Sequence, residues 1–298
     1  FDQVIGMNYK DRDALLILPS STEITNCFYS YWNSNNSIST RELIDVKKLL
    51  AENNFSKSLQ KKRFFEYDIF KQISTRASNK KYIHDQFVVP SCEVERVEWI
   101  YDLPDKVDRA PVSNSAVTTR LLDLMKGAET DVVIQSPYVV LSSDIQKAFA
   151  ELKQKRNNVS VVISTNSLAA TDNWITYAAN YKEKRVYLEE LNLEMWEFKP
   201  IPTDISNMMN YQQLLTRLPF KRELAPQNLI SFKTNKTLPE FSVNTGIDKI
   251  KTRGRKNIHL QTVPYLSLHA KSLVIDEQIA FVGSYNLDPR SEIYNTEL

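Results

Sequence analysis

Apolar positions change their period along the chain, and the change separates two regions. Near the beginning, residues 13–18 (DALLIL) form a short apolar run that stops at Pro19 and predicts a strand. Residues 22–32 place Ile24, Cys27, Phe28 and Tyr31 at helical spacing, which predicts an amphipathic helix. From about residue 35 to 110 the chain is polar and helix-prone, with a weak strand signal at 97–101. A charged stretch at 105–109, followed by Pro111, reads as a linker. Beyond it the pattern alternates: helix 115–126, strand 131–136, helix 143–155, strand 159–164, helix 172–185, strand 193–198. Strands alternating with helices of roughly ten to fifteen residues predict an α/β layered sheet with crossovers. Residues 199–265 are irregular and polar, an excursion over the surface. Two apolar runs, 268–275 and 279–283, then predict an antiparallel strand pair joined by a turn at 276–278.

That last strand pair carries the chemistry. It reads HAKSLVIDEQIAFVGSYNLDPRSEIYNTEL, with His269, Lys271 and Asp276 spaced as H-x-K-x-x-x-x-D. In a regular strand His269 and Lys271 share a face, whereas Asp276 turns to the other. Asp276 therefore reads as fixing the strand's far end. The returning strand brings Ser284 and Asn286 near the Lys271 end. Lys271 offers a compact positive charge for a phosphate oxygen, and Ser284 and Asn286 add neutral polar groups. His269 can serve as nucleophile or as general acid and base near neutral pH. Glu297 reads as the group that orients its other ring nitrogen and fixes the tautomer. A lone H-x-K is ordinarily an edge histidine beside a solvated lysine; the GSYN turn, DPRS and NTE lift the pattern well above that.

Composition narrows the class. Of 298 residues, 42% are apolar and 25% charged, enough for a globular chain with two cores. The net charge of +2 gives no general basic field and argues against nucleic acid as a partner. Cys27 and Cys92 stand far apart, in neither a metal-binding nor a disulfide-dense arrangement, and a reducing compartment is the default. No apolar run reaches the length that spans a bilayer. Only five glycines are present, so tight turns must rely on Asn, Asp and Pro.

HAKSLVID, FVGSYNLDPRS and NTEL together resemble the signature of the phospholipase D superfamily, most closely its bacterial cardiolipin synthase branch. QSPYVV (135–140), STNSLAATD (164–172), DRDALLILPS (11–20) and CFYSYWNS (27–34) resemble other segments of that branch, so the similarity runs from end to end. It implies a layered α-β-α phospholipase D-like lobe with a mixed sheet over residues 111–298. Residues 1–110 would be the remainder of a first lobe and its connection.

The same resemblance implies one active site between two lobes, each with one H-x-K-x-x-x-x-D. One histidine attacks phosphorus and becomes a phosphatidyl-histidine. The other protonates the leaving alcohol and then deprotonates the incoming one. By position, His269, Lys271, Asp276, Ser284, Asn286 and Glu297 carry the second half-site, with His269 as the acid and base. Ser136, Tyr138 and Asn166 would line the substrate cleft. Neither metal nor cofactor is implied. The implied substrate is an anionic phospholipid, met peripherally at the cytoplasmic face of a bacterial inner membrane. A hydrolytic phospholipase D, a nuclease, and a catalytically incomplete phosphate-binding chain remain open.

The chain departs from the pattern in one respect. Its histidines are His84, His259 and His269, and only the last has a lysine two residues on. The first half-site is absent, and Phe1 opens a stretch resembling the family's sequence just after its first motif. The chain therefore reads as a piece of a longer protein whose parent supplies that half-site. The alternative is a pairing of two copies across a twofold axis. Two basic runs invite a lipid-facing reading: Lys249, Lys251, Arg253, Arg255 and Lys256, and Lys57, Lys61, Lys62 and Arg63 beside Phe64 and Phe65. Solvated loop or packed helix explains each as simply.

Overall fold

The computed structural model describes residues 6–52, 67–106, 108, 115–216 and 263–298. Both basic runs and His259 lie outside these residues. The first region contains β1 (Met7–Lys10), α1 (Thr22–Trp32), α2 (Ile44–Ala51), α3 (Tyr67–Ser78) and α4 (Lys80–Ile83). After residue 115 come α5 (Ala116–Gly127), β2 (Asp131–Gln135), α6 (Ser143–Lys155), β3 (Ser160–Asn166), α7 (Trp174–Arg185) and β4 (Glu194–Phe198). Two short helices, α8 (Ile205–Met208) and α9 (Tyr211–Thr216), precede β5 (Tyr265–Leu268), β6 (Ser272–Ile275), β7 (Ile279–Val282) and α10 (Pro289–Ile293).

Each long helix of the second region starts where its sequence provides a cap. The side chains of Ser115, Ser142 and Asn173 accept the amides of Thr118, Ile145 and Thr176, so each satisfies one orphan donor of a first turn. The alternating period then closes into a mixed sheet in the order β4-β3-β2-β6-β7. β2, β3 and β4 run parallel, and β6 and β7 join antiparallel to them. The parallel part follows from the intervening helices, which supply the crossovers that parallel strands require. Val132, Ile134, Val161, Ile163, Leu273 and Ile275 point to one face, where Leu121, Met125, Phe149 and Leu152 of α5 and α6 cover them. The other face is thinly covered, with Val133 43% and Trp196 62% exposed. A separate two-stranded parallel sheet pairs β1 with β5, so the start of the chain lies against the strand leading into His269.

Three expectations about strands are corrected. Residues 13–18 form no strand; Leu15 and Ile17 are 59% and 65% exposed. A strand needs a partner for its amides, and this run has none among the described residues. Residues 97–101 also form no strand, although Asp102 just beyond them donates its amide to Glu297 O at 2.9 Å. The run 268–275 is not one strand. It breaks between β5 and β6, where the amides of His269 and Ala270 both donate to Lys10 O, at 2.9 and 3.1 Å. The β6–β7 turn falls where the sequence places it. Asp276 and Glu277 both have φ of 55°, and Gln278 N closes on Ile275 O at 3.0 Å. This is a hairpin turn of the primed kind that matches strand twist.

Candidate active site

Three independent devices hold His269 at the end of β5. The pairing with β1 aligns Leu268 with Lys10, and Lys10 O receives the next two amides. The third is Asn166, at the end of β3 and nearly fully buried. Its Oδ1 accepts Leu268 N and its Nδ2 donates to Leu268 O, both at 2.8 Å. Breaking the strand there frees the imidazole from the sheet. Its side chain is 43% exposed, with Nδ1 2.8 Å from Asp11 Oδ2. A carboxylate only accepts, so Nδ1 carries a proton toward Asp11, and Nε2 is the ring nitrogen left to face a reacting group. Tyr9 packs on the ring at 5.0 Å between centroids. Burial works against the Asp11 charge. The hydrogen bond from His269, the Arg12 amide and the charges of His269 and Lys271 outweigh it, leaving Asp11 below the usual carboxylate range.

Glu297 does not orient the imidazole as the sequence suggests; Asp11 occupies that position instead. Glu297 is buried and receives Ser284 Oγ at 2.5 Å. Lys271 is 8% exposed, and its ammonium folds under the histidine to donate to His269 O at 2.6 Å. Burial lowers its pKa, while Asp11, Glu297, Asp172 and Asp288 pull the other way. The lysine is thus a buried cation held among carboxylates, beside an exposed imidazole. Gly283 allows the tight approach that precedes Ser284: a Cβ there would stand 2.2 Å from the Leu298 main-chain oxygen. Asn286 is buried, and its Oδ1 accepts no hydrogen bond among the described residues.

The remaining candidates divide by location. Tyr138 Oη donates to Asp172 Oδ1 at 2.6 Å, and Tyr9 Oη donates to Asp172 Oδ2 at 3.2 Å. Burial and the adjacent carboxylate push both phenols upward in pKa. The two tyrosines and Asp172 form a polar group next to the imidazole through Tyr9. Ser136 and Asn166 do not present free groups to a ligand. Ser136 is 1% exposed; its hydroxyl donates to Tyr138 O and accepts Leu287 N. Both residues position neighbours: Asn166 the approach to His269, Ser136 the chain after the GSYN turn.

Asp276 lies at the opposite end of β6 from Lys271. Its carboxylate accepts the amides of Glu129, Thr130 and Asp131 and the Thr130 hydroxyl, tying β6 to the loop between α5 and β2. Those hydrogen bonds, the Thr130 amide foremost, push its pKa down to about 2. A depressed carboxylate contributes stability that is complete above the ordinary value of 3.8 and is lost as pH falls toward about 2. Asp276→Asn is expected to destabilise the fold by about 1–2 kcal/mol at neutral pH and to flatten the acid dependence over that window. Urea unfolding at several pH values checks both.

Sequence reading missed Asp11 and Asp172 as members of this cluster. Asp11 heads the charged DRD triplet and Asp172 closes TNSLAATD, but only a long-range contact marks either one.

With this geometry in place, comparison with known proteins is informative. Residues 121–298 match the family described as "Cardiolipin synthase, PLD-like domain". The chain belongs to this family, and so to the phospholipase D superfamily. Cardiolipin synthase C of Escherichia coli strain K12 is 23% identical over 295 residues, covering 97% of this chain and 50% of that protein. A Helicobacter pylori J99 protein described as uncharacterized is 23% identical over 297 residues, covering 100% of this chain and 48% of its own length. The chain thus spans about half the length of the curated relatives it matches. Among solved structures, the phospholipase D family member Nuc of Salmonella typhimurium aligns with TM-score 0.31 and 15% identity, over 63% of this chain and 74% of that one. NucT of Helicobacter pylori aligns with TM-score 0.34 and 15% identity, over 66% and 78%.

Proposed function

We propose that this chain carries one half of a phosphatidyl-transfer site of the cardiolipin synthase type. The observation that carries the reading is a partly exposed imidazole whose Nδ1 is tied to Asp11, with the buried Lys271 ammonium bonded to the main-chain carbonyl of the same histidine. Family membership supports it. In the proposed reaction a histidine of the other half-site attacks phosphorus while protonated His269 gives its Nε2 proton to the departing alkoxide. A phosphatidyl-histidine remains. Neutral His269 then takes the proton of an incoming alcohol, whose oxygen displaces the histidine from phosphorus. Asp11 steadies the imidazolium in the intervals, and Lys271 offsets charge on the phosphoryl oxygens.

The second histidine comes from elsewhere in the parent chain or from a second copy, because the sequence holds one H-x-K. The substrate is an anionic phospholipid, reached peripherally at the cytoplasmic face of a bacterial inner membrane. Among the described residues no helix is long and apolar enough to cross a membrane. The test is the intact protein with radiolabelled phosphatidylglycerol vesicles and thin-layer separation of products. Transfer of the labelled phosphatidyl group to an alcohol is expected. Phosphatidic acid alone would favour a hydrolase, and degradation of DNA without lipid turnover would favour a nuclease. The 298-residue chain by itself is expected to be inactive in the same assay.

A further inference from the structure

We infer that the buried pair Lys106–Asp102 positions the Ser284–Asn286–Glu297 side of the half-site. The inference rests on the phosphodiester reading above and adds two positioning residues to it. Both side chains are almost wholly buried, 6% and 1% exposed, with Nζ and Oδ2 2.7 Å apart. All three N–H donors of Lys106 are used: besides Asp102, they meet Ser291 O at 2.7 Å and Asn295 O at 2.5 Å. Asp102 in turn brackets Glu297. Its Oδ2 accepts Glu297 N at 3.1 Å, and its own amide donates to Glu297 O at 2.9 Å. It also reaches two helices, accepting Val117 N on Oδ1 at 3.4 Å and Tyr31 Oη on its carbonyl at 2.5 Å.

Both ends of the gripped segment touch the site. Ser291 Oγ accepts the amide of Asn286 at 3.1 Å, and Glu297 receives the hydroxyl of Ser284. The two polar residues of the GSYN turn therefore hang from a segment whose carbonyls are fixed by one ammonium. Hydrocarbon of the same volume often serves stability as well as a buried ion pair does. It cannot accept an amide and donate to two carbonyls in a fixed geometry. Sequence reading takes residues 105–109 as a plain linker, yet Lys106 holds the site's wall from 185 and 189 residues away.

The test uses Lys106→Met, Asp102→Asn and Glu297→Gln, singly and combined, in the intact protein. Each clamp variant is expected to lower kcat about 10- to 100-fold, with KM for the phospholipid within about threefold, since misplacement acts on the reacting geometry. Lys106→Met with Glu297→Gln is expected to fall no more than about threefold below the worse single variant, because the effects run through one contact set. Amide exchange of a peptide spanning 291–298 should rise about tenfold or more, while β2 and β6 stay protected. Losses that multiply, an unchanged kcat, or unchanged exchange at 291–298 would overturn the assignment. If Lys106→Met does not fold, Lys106→Arg keeps the charge but not the geometry. The same kcat fall with raised exchange is then expected, and wild-type values would overturn the assignment. If the wild type turns over a different phosphodiester, the proposed substrate fails and the same ratios are read on that substrate. If it turns over none, the exchange measurement alone decides.

Discussion

Replacing His269 by alanine is expected to lower phosphatidyl transfer by the intact protein about 10³-fold or more while leaving the fold intact. The imidazole is 43% exposed, so its loss leaves no large cavity. The supports that shape this corner are backbone and Asn166 contacts, which alanine retains. In the proposed reaction the size of the loss comes from two duties of one ring, donating a proton to the leaving alcohol and accepting one from the incoming alcohol. Circular dichroism and thermal unfolding of the variant should match the wild type. A rate within a few-fold of wild type would remove His269 from the chemistry.

The second large effect is expected at Asp11. Asp11→Asn keeps the shape of the side chain and removes its charge. The imidazolium of the proposed reaction then loses its counter-ion. The amide can also turn its N–H₂ toward Nδ1, which fixes the opposite tautomer and leaves no lone pair on Nε2. A kcat loss of about 10²- to 10⁴-fold results, with KM nearly unchanged because Asp11 faces the ring and not the lipid. Asp11 lies below the ordinary carboxylate range in the folded chain. Its charge therefore persists as pH falls through that range, and wild-type activity should not titrate with it there. Steady-state kinetics on both proteins, carried from neutral pH down through the ordinary carboxylate range to about pH 3.5, check this. Equal rates would return the orienting role to another group, Glu297 first.

Where the sequence was legible, the information was local. The helix at 22–32 and the helix at 143–155 match their periodic segments, because helical period, and for the second its Ser142 cap, are set by residues within a turn or two of one another. Strands β2, β3 and β4 fall within one or two residues of expectation for the same reason. The polar 199–265 stretch hid α8 and α9, which are too short to show a helical period. The failures share a cause. The apolar run at 13–18 reads as a strand, but strand formation depends on a partner that the run does not name. The strand-like pattern of 268–275 conceals a break made by Lys10 O, a contact between residues far apart in the chain. In the site, the H-x-K and GSYN residues announce themselves by spacing. Asp11 meets His269 across 258 positions, and no period carries that information. Asn166 and Ser136 were legible as residues of the site region but not in their role, since an amide bonded to a backbone and one open to a ligand look alike in sequence.

The most direct measurement compares two leaving groups on the intact protein and its His269→Ala variant. An alkyl phosphodiester needs its departing oxygen protonated; a p-nitrophenyl phosphodiester does not. The expected result is an almost complete loss with the alkyl substrate. With the nitrophenyl substrate the variant should release a burst of about one nitrophenolate per site and then stall, because the proton of the incoming alcohol has no acceptor. Steady turnover of both substrates at wild-type rates would contradict the assignment of His269 and Lys271 as a phosphodiester half-site.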